Sequence, residues 1–353
     1  AFSINAATGE LSFKAQPNFE AKSSYSITIL STDEGGKTYS KSLTISVTNT
    51  NDAPTVANAI ADQTIAEESA LSFQFASDVF SDVDAGDSLT YTATLADGSA
   101  LPSWLSFDAA SRTFSGTPQN GDVGAVDVKV TATDGSSATA TDTFRITVTN
   151  TNDAPTVANA ISDQTIAEDS ALSFQFASDV FSDVDAGDSL TYTATLADGN
   201  TLPSWLSFDA ASRTFSGTPL NGDVGSIDVK VTAADGISAT ATDTFRITVT
   251  NTNDAPTVAN AISDQTIAED SALSFQFASD VFSDVDASDS LIYKATLADG
   301  STLPSWLSFD ASSRTFSGTP SNGDVGAIDV KVTAIDGSSA TATDTFRITV
   351  TNT

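Results

Sequence analysis

The chain has 353 residues and contains no cysteine, histidine or methionine. Its 46 acidic and 14 basic residues give a formal net charge of −32 at pH 7. This composition excludes disulfides, thiolate ligands and histidine as a general base, and it argues against nucleic acid and anionic membranes as partners. Divalent cations suit such a chain better, above all calcium, which takes oxygen ligands. No apolar run approaches the roughly 20 residues of a membrane-spanning helix, so we expect no membrane insertion in this segment.

A repeat of 101 residues organises the chain and is marked by Trp104, Trp205 and Trp306. That period matches a whole domain and exceeds the unit of a helical solenoid. Because it has no initiator methionine, we expect the chain to be an internal piece of a longer polypeptide. The expected divisions are a half domain at 1–50 and three full copies at 51–151, 152–252 and 253–353.

Residues 1–50 differ in sequence from the copies, although they lead into the same Asn-Asp-Ala-Pro linker. We expect them to form the trailing half of a related domain whose first strands precede residue 1. Proline holds the preceding alanine extended and ends strand pairing, so the linkers should be short and fairly stiff. They lie at 51–54, 152–155 and 253–256.

Apolar and polar residues alternate within each copy, and no segment has the spacing of an amphipathic helix. Alternation bounded by Gly, Pro, Asp and Ser indicates half-buried strands. About seven such strands per copy predict an all-β chain of tandem seven-stranded Greek-key β-sandwiches joined end to end. In the first copy the predicted strands lie at 63–67, 71–75, 89–95, 105–107, 112–117, 126–132 and 144–148.

Several motifs carry a resemblance to a known family. The leading segment contains Thr8-Gly-Glu-Leu11 and Asn18-Phe-Glu20, and each copy contains Leu-Pro-Ser-Trp-Leu-Ser-Phe-Asp and Phe-Ser-Gly-Thr-Pro. The leading segment resembles the second half of a cadherin repeat. The copies resemble the dystroglycan-type cadherin-like, or putative-Ig, domains of large bacterial surface adhesins. This resemblance implies cadherin/Ig-like sandwiches outside the cell or on its surface, with calcium between consecutive domains.

The same resemblance implies the calcium ligands at each junction. The linker is one residue shorter than the cadherin Asn-Asp-Asn-x-Pro form, and Asp-x-Glu is replaced by Asn-x-Glu or Asn-x-Asp, so we expect one or two ions per junction rather than three. The implied ligands at the first junction are Asn18, Glu20, Asn51, Asp52, Asp82, Asp84 and Asp134. At the second they are Glu67, Asn120, Asp122, Asn152, Asp153, Asp183, Asp185 and Asp235. At the third they are Glu168, Asn221, Asp223, Asn253, Asp254, Asp284, Asp286 and Asp336.

The residues support calcium without the family as well. Asp82 and Asp84 share one face of an extended segment, so their carboxylates would converge on one cation. Held at a stiff junction, such charges repel one another unless a cation lies between them. The alternative is that the run Asp-Val-Asp-Ala-Gly-Asp at 82–87 is only a solvated turn, which aspartate favours in any case.

Other conspicuous residues have structural interpretations. Trp104 lies among apolar neighbours, so core packing is favoured over stacking on a sugar. Arg145 alternates out of phase with the buried residues, and we expect it to form a surface ion pair. Acid pairs such as Glu67 and Glu68 lack an apolar pocket that would raise a pKa, so we expect no enzymatic activity.

These observations favour a calcium-stiffened extender segment of a secreted or surface-anchored bacterial adhesin, which projects a distal binding domain. The alternative from another class is an array of glycan-binding modules that uses the tryptophan strand, with polysaccharide as partner. A third hypothesis is adhesion between neighbouring adhesin chains through strand edges, which the negative charge of each copy opposes. Exposed tryptophans or a groove with polar walls would favour glycan binding, and fully buried tryptophans would favour the extender.

Overall fold

The computed structural model describes residues 2–286 and 289–353, and these residues fold almost entirely into β-strands. Two compact units make up the chain: the first ends at Asp153, and the second runs from Ala154 to Thr353. The helices among the described residues are three-residue 3₁₀ turns, and none is long and apolar enough to cross a membrane. The all-β class predicted from the alternation is confirmed.

The leading segment of the first unit consists of two antiparallel hairpins. The rings of Phe2 and Phe13 in the first hairpin lie 4.4 Å apart, and both contact Tyr25 of the second. This aromatic cluster holds the hairpins together, while apolar residues elsewhere on the second hairpin, such as Leu30, are exposed. The strands are β1 (Phe2–Ile4), β2 (Leu11–Phe13), β3 (Ser24–Thr32) and β4 (Thr38–Ser46).

Each copy contributes nine strands and one 3₁₀ helix to the described chain. In the first copy they are β5 (Thr55–Val56), β6 (Gln63–Ala66), β7 (Leu71–Gln74), β8 (Phe80–Ser81), β9 (Thr90–Leu95), β10 (Leu105–Asp108), β11 (Thr113–Gly116), the 3₁₀ helix Asn120–Asp122, β12 (Gly124–Thr133) and β13 (Thr139–Thr149). In the second copy they are β14 (Thr156–Val157), β15 (Gln164–Ala167), β16 (Leu172–Gln175), β17 (Phe181–Ser182), β18 (Thr191–Leu196), β19 (Leu206–Asp209), β20 (Thr214–Gly217), the 3₁₀ helix Asn221–Asp223, β21 (Gly225–Ala234) and β22 (Thr240–Thr250). In the third copy they are β23 (Thr257–Val258), β24 (Gln265–Ala268), β25 (Leu273–Gln276), β26 (Phe282–Ser283), β27 (Ile292–Leu297), β28 (Leu307–Asp310), β29 (Thr315–Gly318), the 3₁₀ helix Asn322–Asp324, β30 (Gly326–Ile335) and β31 (Thr341–Thr351).

Seven of the nine strands of each copy build two sheets, as the alternation predicted. In the first copy the four-stranded sheet has the order β6-β13-β12-β9, and the three-stranded sheet has the order β7-β11-β10. Neighbours in these sheets are antiparallel except β6 and β13, which run parallel, with Ala66 opposite Thr149. The other two copies repeat both orders. The remaining strands, β5 and β8, form a two-residue pair that the sequence analysis missed.

The hydrophobic core of each copy lies between its two sheets. In the first copy Val128, Val130 and Ile146 of the four-stranded sheet are fully buried, as is Phe114 of the three-stranded sheet. Successive side chains on a strand point to opposite faces, so alternation delivers one apolar face of every strand to this core. Each such side chain stabilises the fold by about 2 kcal/mol. The other copies bury the equivalent residues.

The outer face of the four-stranded sheet carries the predicted ion pair. Arg145 on β13 lies opposite Asp127 on β12, with 2.8 Å between Nε and Oδ1 and 3.1 Å between Nη2 and Oδ2. The hydrogen bond from Arg145 holds the pKa of the Asp127 carboxyl below its usual value. Both side chains are about half exposed, so water screens the pair and it contributes little to stability.

A glycine lets the three-stranded sheet approach the tryptophan segment. At Gly217 on β20, an added Cβ would overlap the backbone carbonyl oxygen of Trp205. Gly116 and its third-copy equivalent make the same close approach to their own tryptophan carbonyl. No side chain fits at this position unless the backbone moves.

Gly217→Ala should destabilise the second copy by about 3 kcal/mol, because the added methyl group overlaps backbone rather than a movable side chain. Calorimetry of the whole chain should then show one domain unfolding at a lower temperature than the rest. The matched control is Gly222→Ala, where an added Cβ meets nothing within 4 Å and no early transition should appear. An unchanged thermogram for Gly217→Ala would contradict the packing argument.

Candidate metal centres at the domain junctions

A parallel strand pairing brings a glutamate next to the backbone segment that leads into the third linker. Glu168 follows β15 and continues its ladder with β22, since its N–H donates to Thr250 O at 3.0 Å. Its Oε1 accepts the N–H of Thr252 at 2.8 Å. Asp169 then turns the chain away with a φ of 56°. The glutamate side chain is therefore tied to the backbone that leads directly into the linker.

The second carboxylate oxygen of this glutamate is buried without a partner. Glu168 is 1% exposed, and its Oε2 has no hydrogen-bond partner among the described residues. Glu67 repeats the arrangement in the first copy, where Oε1 accepts the N–H of Thr151 at 2.8 Å and Oε2 is again buried, with no hydrogen-bond partner in the described part of the chain. A buried charged oxygen without a partner is unfavourable. Its position therefore favours a bound cation.

The Asp-Val-Asp segment of the first copy forms a compact turn that faces the first linker. Asp84 N donates to Asp82 Oδ1 at 2.9 Å, and Asp87 N donates to Asp84 O at 3.2 Å. Asp84 is buried, and its two carboxylate oxygens accept hydrogen bonds from Asp52 N and Asn49 Nδ2, both at 2.8 Å. The segment therefore forms the aspartate turn that the alternative hypothesis for 82–87 predicted. It also directs the Asp84 carboxylate at the linker.

Glu20 of the leading segment joins these carboxylates. Glu20, Asp52 and Asp84 each bring an oxygen within 4.8 Å of the others. Asn18 lines the same open cleft as Glu20 and Asp52. However, Asn18 Oδ1 accepts the N–H of Ala21 at 2.6 Å and so shapes its own turn. At the first junction the structure therefore brings together three predicted acids, with Asn18 at their edge.

Asn51 connects the first linker to Asp134. Its Nδ2 donates to Asp134 Oδ2 at 2.9 Å. Asp134 Oδ1 accepts the N–H groups of Ser136 and Ala138 at 2.9 and 2.8 Å. The hydrogen bond from Asn51, together with the backbone donors, holds the pKa of the Asp134 carboxyl below its usual value. These donors therefore stabilise the charged form of the Asp134 carboxyl.

The third junction lies wholly inside the second unit and repeats this arrangement. Asp254 N donates to Asp286 Oδ2 at 2.8 Å, and Asn253 Nδ2 donates to Asp336 Oδ2 at 3.0 Å. Asn221, from the 3₁₀ helix of the second copy, donates Nδ2 to Asp286 Oδ1 at 3.2 Å. Asp286 is 3% exposed. One buried carboxylate is thus bound both by the linker and by the preceding copy.

The residues predicted for the second junction are divided between the two units. In the first unit, Asn120 Nδ2 donates to Asp153 Oδ2 at 2.9 Å, and Asn152 Nδ2 donates to the Asp153 backbone oxygen at 2.7 Å. In the second unit, Asp185 N donates to Asp183 Oδ1 at 3.0 Å. Each unit therefore holds its residues in local hydrogen bonds like those of the other junctions.

A second acidic group forms inside each copy. Carboxylate oxygens lie within 4.8 Å of one another in Asp82, Asp84 and Asp87, in Asp183, Asp188 and Asp235, and in Asp284, Asp289 and Asp336. Among the described residues, the Oδ2 atoms of Asp82, Asp183 and Asp284 are buried and have no hydrogen-bond partner. Partial desolvation raises the pKa of Asp87 and Asp188, and the charges of the neighbouring aspartates raise it further. Mutual repulsion of this kind favours a cation between the carboxylates.

Asp122 and Asp223 lie outside the acidic groups formed by the described residues. Each closes its own 3₁₀ turn: Asp122 Oδ2 accepts the N–H of Gln119 at 2.9 Å, and Asp223 Oδ2 accepts the N–H of Leu220 at 3.0 Å. They shape the loops that carry the junction asparagines. Their role as direct metal ligands stays a prediction.

Three kinds of residue were missed by the sequence analysis. Asn49 was not considered, and its Nδ2 donates to Asp84 Oδ1 at 2.8 Å. Asp87 was considered only as part of a turn. Glu269 repeats Glu168, since its buried Oε1 accepts the N–H of Thr353 at 3.0 Å. The 101-residue repeat was the signal that could have identified Glu269.

The donor set at these positions consists of carboxylate and amide oxygens. The chain has no cysteine or histidine to supply a softer ligand. Hard oxygen ligands, several of them charged, suit calcium better than zinc or copper. The residues present therefore fit calcium.

The tryptophans belong to the cores of their own copies. Trp104, Trp205 and Trp306 are half-buried and pack against the hydrophobic core of their copy. The core role predicted for them is confirmed, although their burial is incomplete. Because they are neither exposed nor fully buried, the glycan-binding alternative stays a prediction.

Comparisons with known proteins agree with this fold. A family model described as "Putative Ig domain" matches residues 53–149, 154–250 and 255–351. The serine-rich adhesin for platelets of Staphylococcus aureus strain USA300 is 34% identical over 165 residues, which cover 47% of this chain and 7% of that protein. The same adhesin from strain MRSA252 is also 34% identical over 165 residues, which cover 11% of its length. The chain thus corresponds to a small part of these relatives.

Solved structures of cadherin ectodomains have the same fold. The protocadherin γB4 extracellular domain matches 99% of this chain and 59% of its own, with a TM-score of 0.62 and 16% identity. Mouse cadherin-23 EC22-24 matches 86% of this chain and 100% of its own, with a TM-score of 0.55 and 17% identity. At these identities the likeness concerns the fold alone. It confirms the predicted cadherin-like sandwiches.

In calcium-free buffer, Glu168→Gln should raise the free energy of unfolding by about 1 kcal/mol, because it replaces a buried, unpartnered charge with a neutral amide. The amide oxygen of glutamine can still accept the Thr252 N–H. Urea unfolding in the presence of a chelator measures the effect.

The matched control is Asp169→Asn at the next position, which is exposed and has a φ of 56°. Asparagine tolerates that conformation, so stability should not change. If Glu168→Gln instead lowers stability without calcium, the Glu168 carboxylate already has a favourable partner. Its Oε2 would then give no reason to expect a bound cation.

Proposed function

This chain belongs to the family of Putative Ig domains, and from that premise we propose that it is a calcium-stiffened extender segment of a secreted or surface-anchored bacterial adhesin. It is a structural, non-enzymatic protein of tandem cadherin-like repeats. The relative it matches is named as an adhesin, which supports a location outside the cell or on its surface. The match covers 7% of that relative, so the distal binding domain that the segment would project is also part of the proposal.

The unpartnered oxygen of the buried glutamate carries the proposal. One oxygen of Glu168 is tied to the backbone before the linker, which leaves Oε2 as the atom for a cation. Burying a carboxylate without a counter-ion is unfavourable, and calcium relieves that penalty by binding several carboxylates at once. Glu67 supports the same interpretation in the first copy.

The linker asparagines would supply further oxygen ligands. Asn51 and Asn253 direct Nδ2 at the carboxylates of Asp134 and Asp336. Rotation of the amide by half a turn places Oδ1 where Nδ2 was. Amide carbonyl oxygens are common calcium ligands. Calcium would thus replace a hydrogen bond between two side chains with two bonds to one ion.

Two acidic groups meet at the first junction, and they support one or two ions there. Glu20, Asp52 and Asp84 form one group, and Asp82, Asp84 and Asp87 form the other. Because Asp84 belongs to both, two ions would share it. A third ion would need the first acid of the Asp-x-Glu motif, which Asn18 replaces here.

Calcium at these positions would fix the angle between consecutive copies. At the third junction Asn221 belongs to the copy before the linker, Asp254 to the linker and Asp286 to the copy after it. A cation that binds all three residues would resist bending at the linker. The buried proline of this linker, Pro256, restricts bending as well. The sequence repeat gives the second linker the same residue types, and we extend the proposal to it.

Calcium should raise the melting temperature of the whole chain, because the junctions bind it in the folded state and not in the unfolded state. If the sites have the roughly 0.1 mM affinity of extracellular modules, about 10 mM calcium stabilises each by about 2.7 kcal/mol. Calorimetry with calcium and with chelator measures the shift. Equal melting temperatures in the two conditions would refute calcium binding.

Asp254→Ala should remove most of the calcium-dependent stabilisation of the third junction while both flanking copies still fold, because it removes a linker carboxylate without touching either core. Small-angle scattering should show a broader distribution of interatomic distances in calcium than for the unmodified chain. Isothermal titration should show fewer calcium ions bound.

Asp209→Ala is the matched control for that experiment. Asp209 is exposed at the end of β19 and accepts a hydrogen bond from the hydroxyl of Ser212. Its loss should lower stability slightly and leave calcium binding unchanged. If Asp254→Ala and Asp209→Ala bind the same number of calcium ions, the acids of the junction are ordinary surface charge.

A further inference from the structure

Each copy contains an Asn-Gly-Asp turn whose glycine the backbone does not require. In the second copy Asn221–Asp223 forms a 3₁₀ helix, closed by a hydrogen bond from Asp223 N to Leu220 O at 2.7 Å. Gly222 is absent from the described glycines with positive φ, and an added Cβ there would meet nothing within 4 Å. Neither the conformation nor the packing of this turn therefore explains the glycine.

A glycine after an asparagine has a chemical consequence. Because glycine has no side chain, its backbone nitrogen is open to the side-chain carbonyl carbon of the residue before it. When the Gly222 nitrogen loses its proton and attacks Asn221 Cγ, a new C–N bond closes a succinimide ring and the side-chain nitrogen leaves as ammonia. Water then breaks one C–N bond of the ring and yields aspartate or isoaspartate. The net reaction consumes one water and releases one ammonia.

The turn leaves the reacting groups accessible. Gly222 is exposed and Asn221 is half-buried. In the described part of the chain, the Gly222 N–H donates no hydrogen bond that would have to break first. The helix consists of a single turn, so a small local opening brings the nitrogen to the side chain.

From this geometry we infer that Asn221 deamidates by itself through attack of the Gly222 nitrogen. This self-modification converts a side-chain amide of the third junction into a carboxylate. The Nδ2 of Asn221 lies 3.2 Å from Asp286 Oδ1. Conversion to aspartate replaces a hydrogen-bond donor with a negatively charged acceptor that faces the buried Asp286 carboxylate. The two charges then repel each other in the absence of a cation.

With calcium present, the new carboxylate becomes one more charged ligand. Calcium sites of this kind gain affinity with the number of their carboxylates. The modified junction is therefore weaker than the original without calcium and stronger with it. This effect on calcium binding rests on the proposed function, whereas the modification itself does not. Asn120 has the same turn and donates to Asp153 in the first unit.

The modification is tested by incubating the whole chain at neutral pH and mapping peptides by mass spectrometry. The peptide with Asn221 should gain the mass of an amide-to-carboxylate exchange and should react with an isoaspartate methyltransferase. Gly222→Ala should slow the exchange at Asn221 at least ten-fold and leave Asn120 and Asn322 unaffected. That variant should fold, because the added Cβ meets nothing within 4 Å.

The consequence is tested with Asn221→Asp, which reproduces the aspartate product. In chelator, this variant should lower the melting temperature of the affected copies by about 4 °C, the shift expected for a loss of about 1 kcal/mol. In calcium titrations it should tighten the apparent Kd about ten-fold, since ligand charge sets the affinity of such sites. The control is Asn322→Asp in the same turn, because Asn322 is exposed and should change neither value.

The outcomes separate the inference from the proposed function. Equal exchange at Asn221 in the original chain and in Gly222→Ala overturns the self-modification. If exchange occurs but Asn221→Asp behaves like Asn322→Asp while calcium stabilises the original chain, the link to the junction is overturned and the proposed function stands. If calcium stabilises neither chain, the proposed function fails, and exchange at Asn221 still supports the modification.

Discussion

The parallel pairing of the first and last strands of the four-stranded sheet in each copy is the constraint on which the junctions depend. It carries Glu168 one residue beyond β15, where its backbone pairs with Thr250 and its side chain caps Thr252. An exposed glutamate would remain hydrated at little cost. Here the ladder that stabilises the sheet also buries one end of a carboxylate beside the linker. The geometry of the junction is thus a by-product of sheet formation.

Core and junction make opposite demands on neighbouring residues. The core gains stability from buried aromatic and aliphatic side chains, such as Phe114 and Ile146, each worth about 2 kcal/mol. The junction buries Asp84 and Asp134, which is unfavourable unless their charges are satisfied. Backbone and asparagine donors satisfy part of that charge. The apolar core offsets the remainder, so a copy can fold while its junction still favours a cation.

Local patterns in the sequence were sufficient for most of the fold and for part of the site. Alternation predicted the seven main strands because each gives a whole face to the core, whereas β5 and β8 are too short to show a period. The junction acids were recognisable through the resemblance to cadherin repeats, because the linker and the Asp-x-Asp segment recur in every copy. Asn49 acquires its role only when the segment before the linker meets the distant turn that holds Asp84. Asp122 is the reverse case, since its own turn uses the carboxylate that its residue type suggested for a metal.

The parallel pairing also determines how a copy responds to a pull along the chain. The main sheet begins at the start of β6 and ends at the end of β13, and in a parallel pair these points lie at opposite ends of the ladder. Tension between them acts along the strands, so the hydrogen bonds of the ladder are loaded together in shear. Strands pulled from the same end would separate one bond at a time. A copy is therefore built to resist lengthening when it is pulled along the direction of the chain.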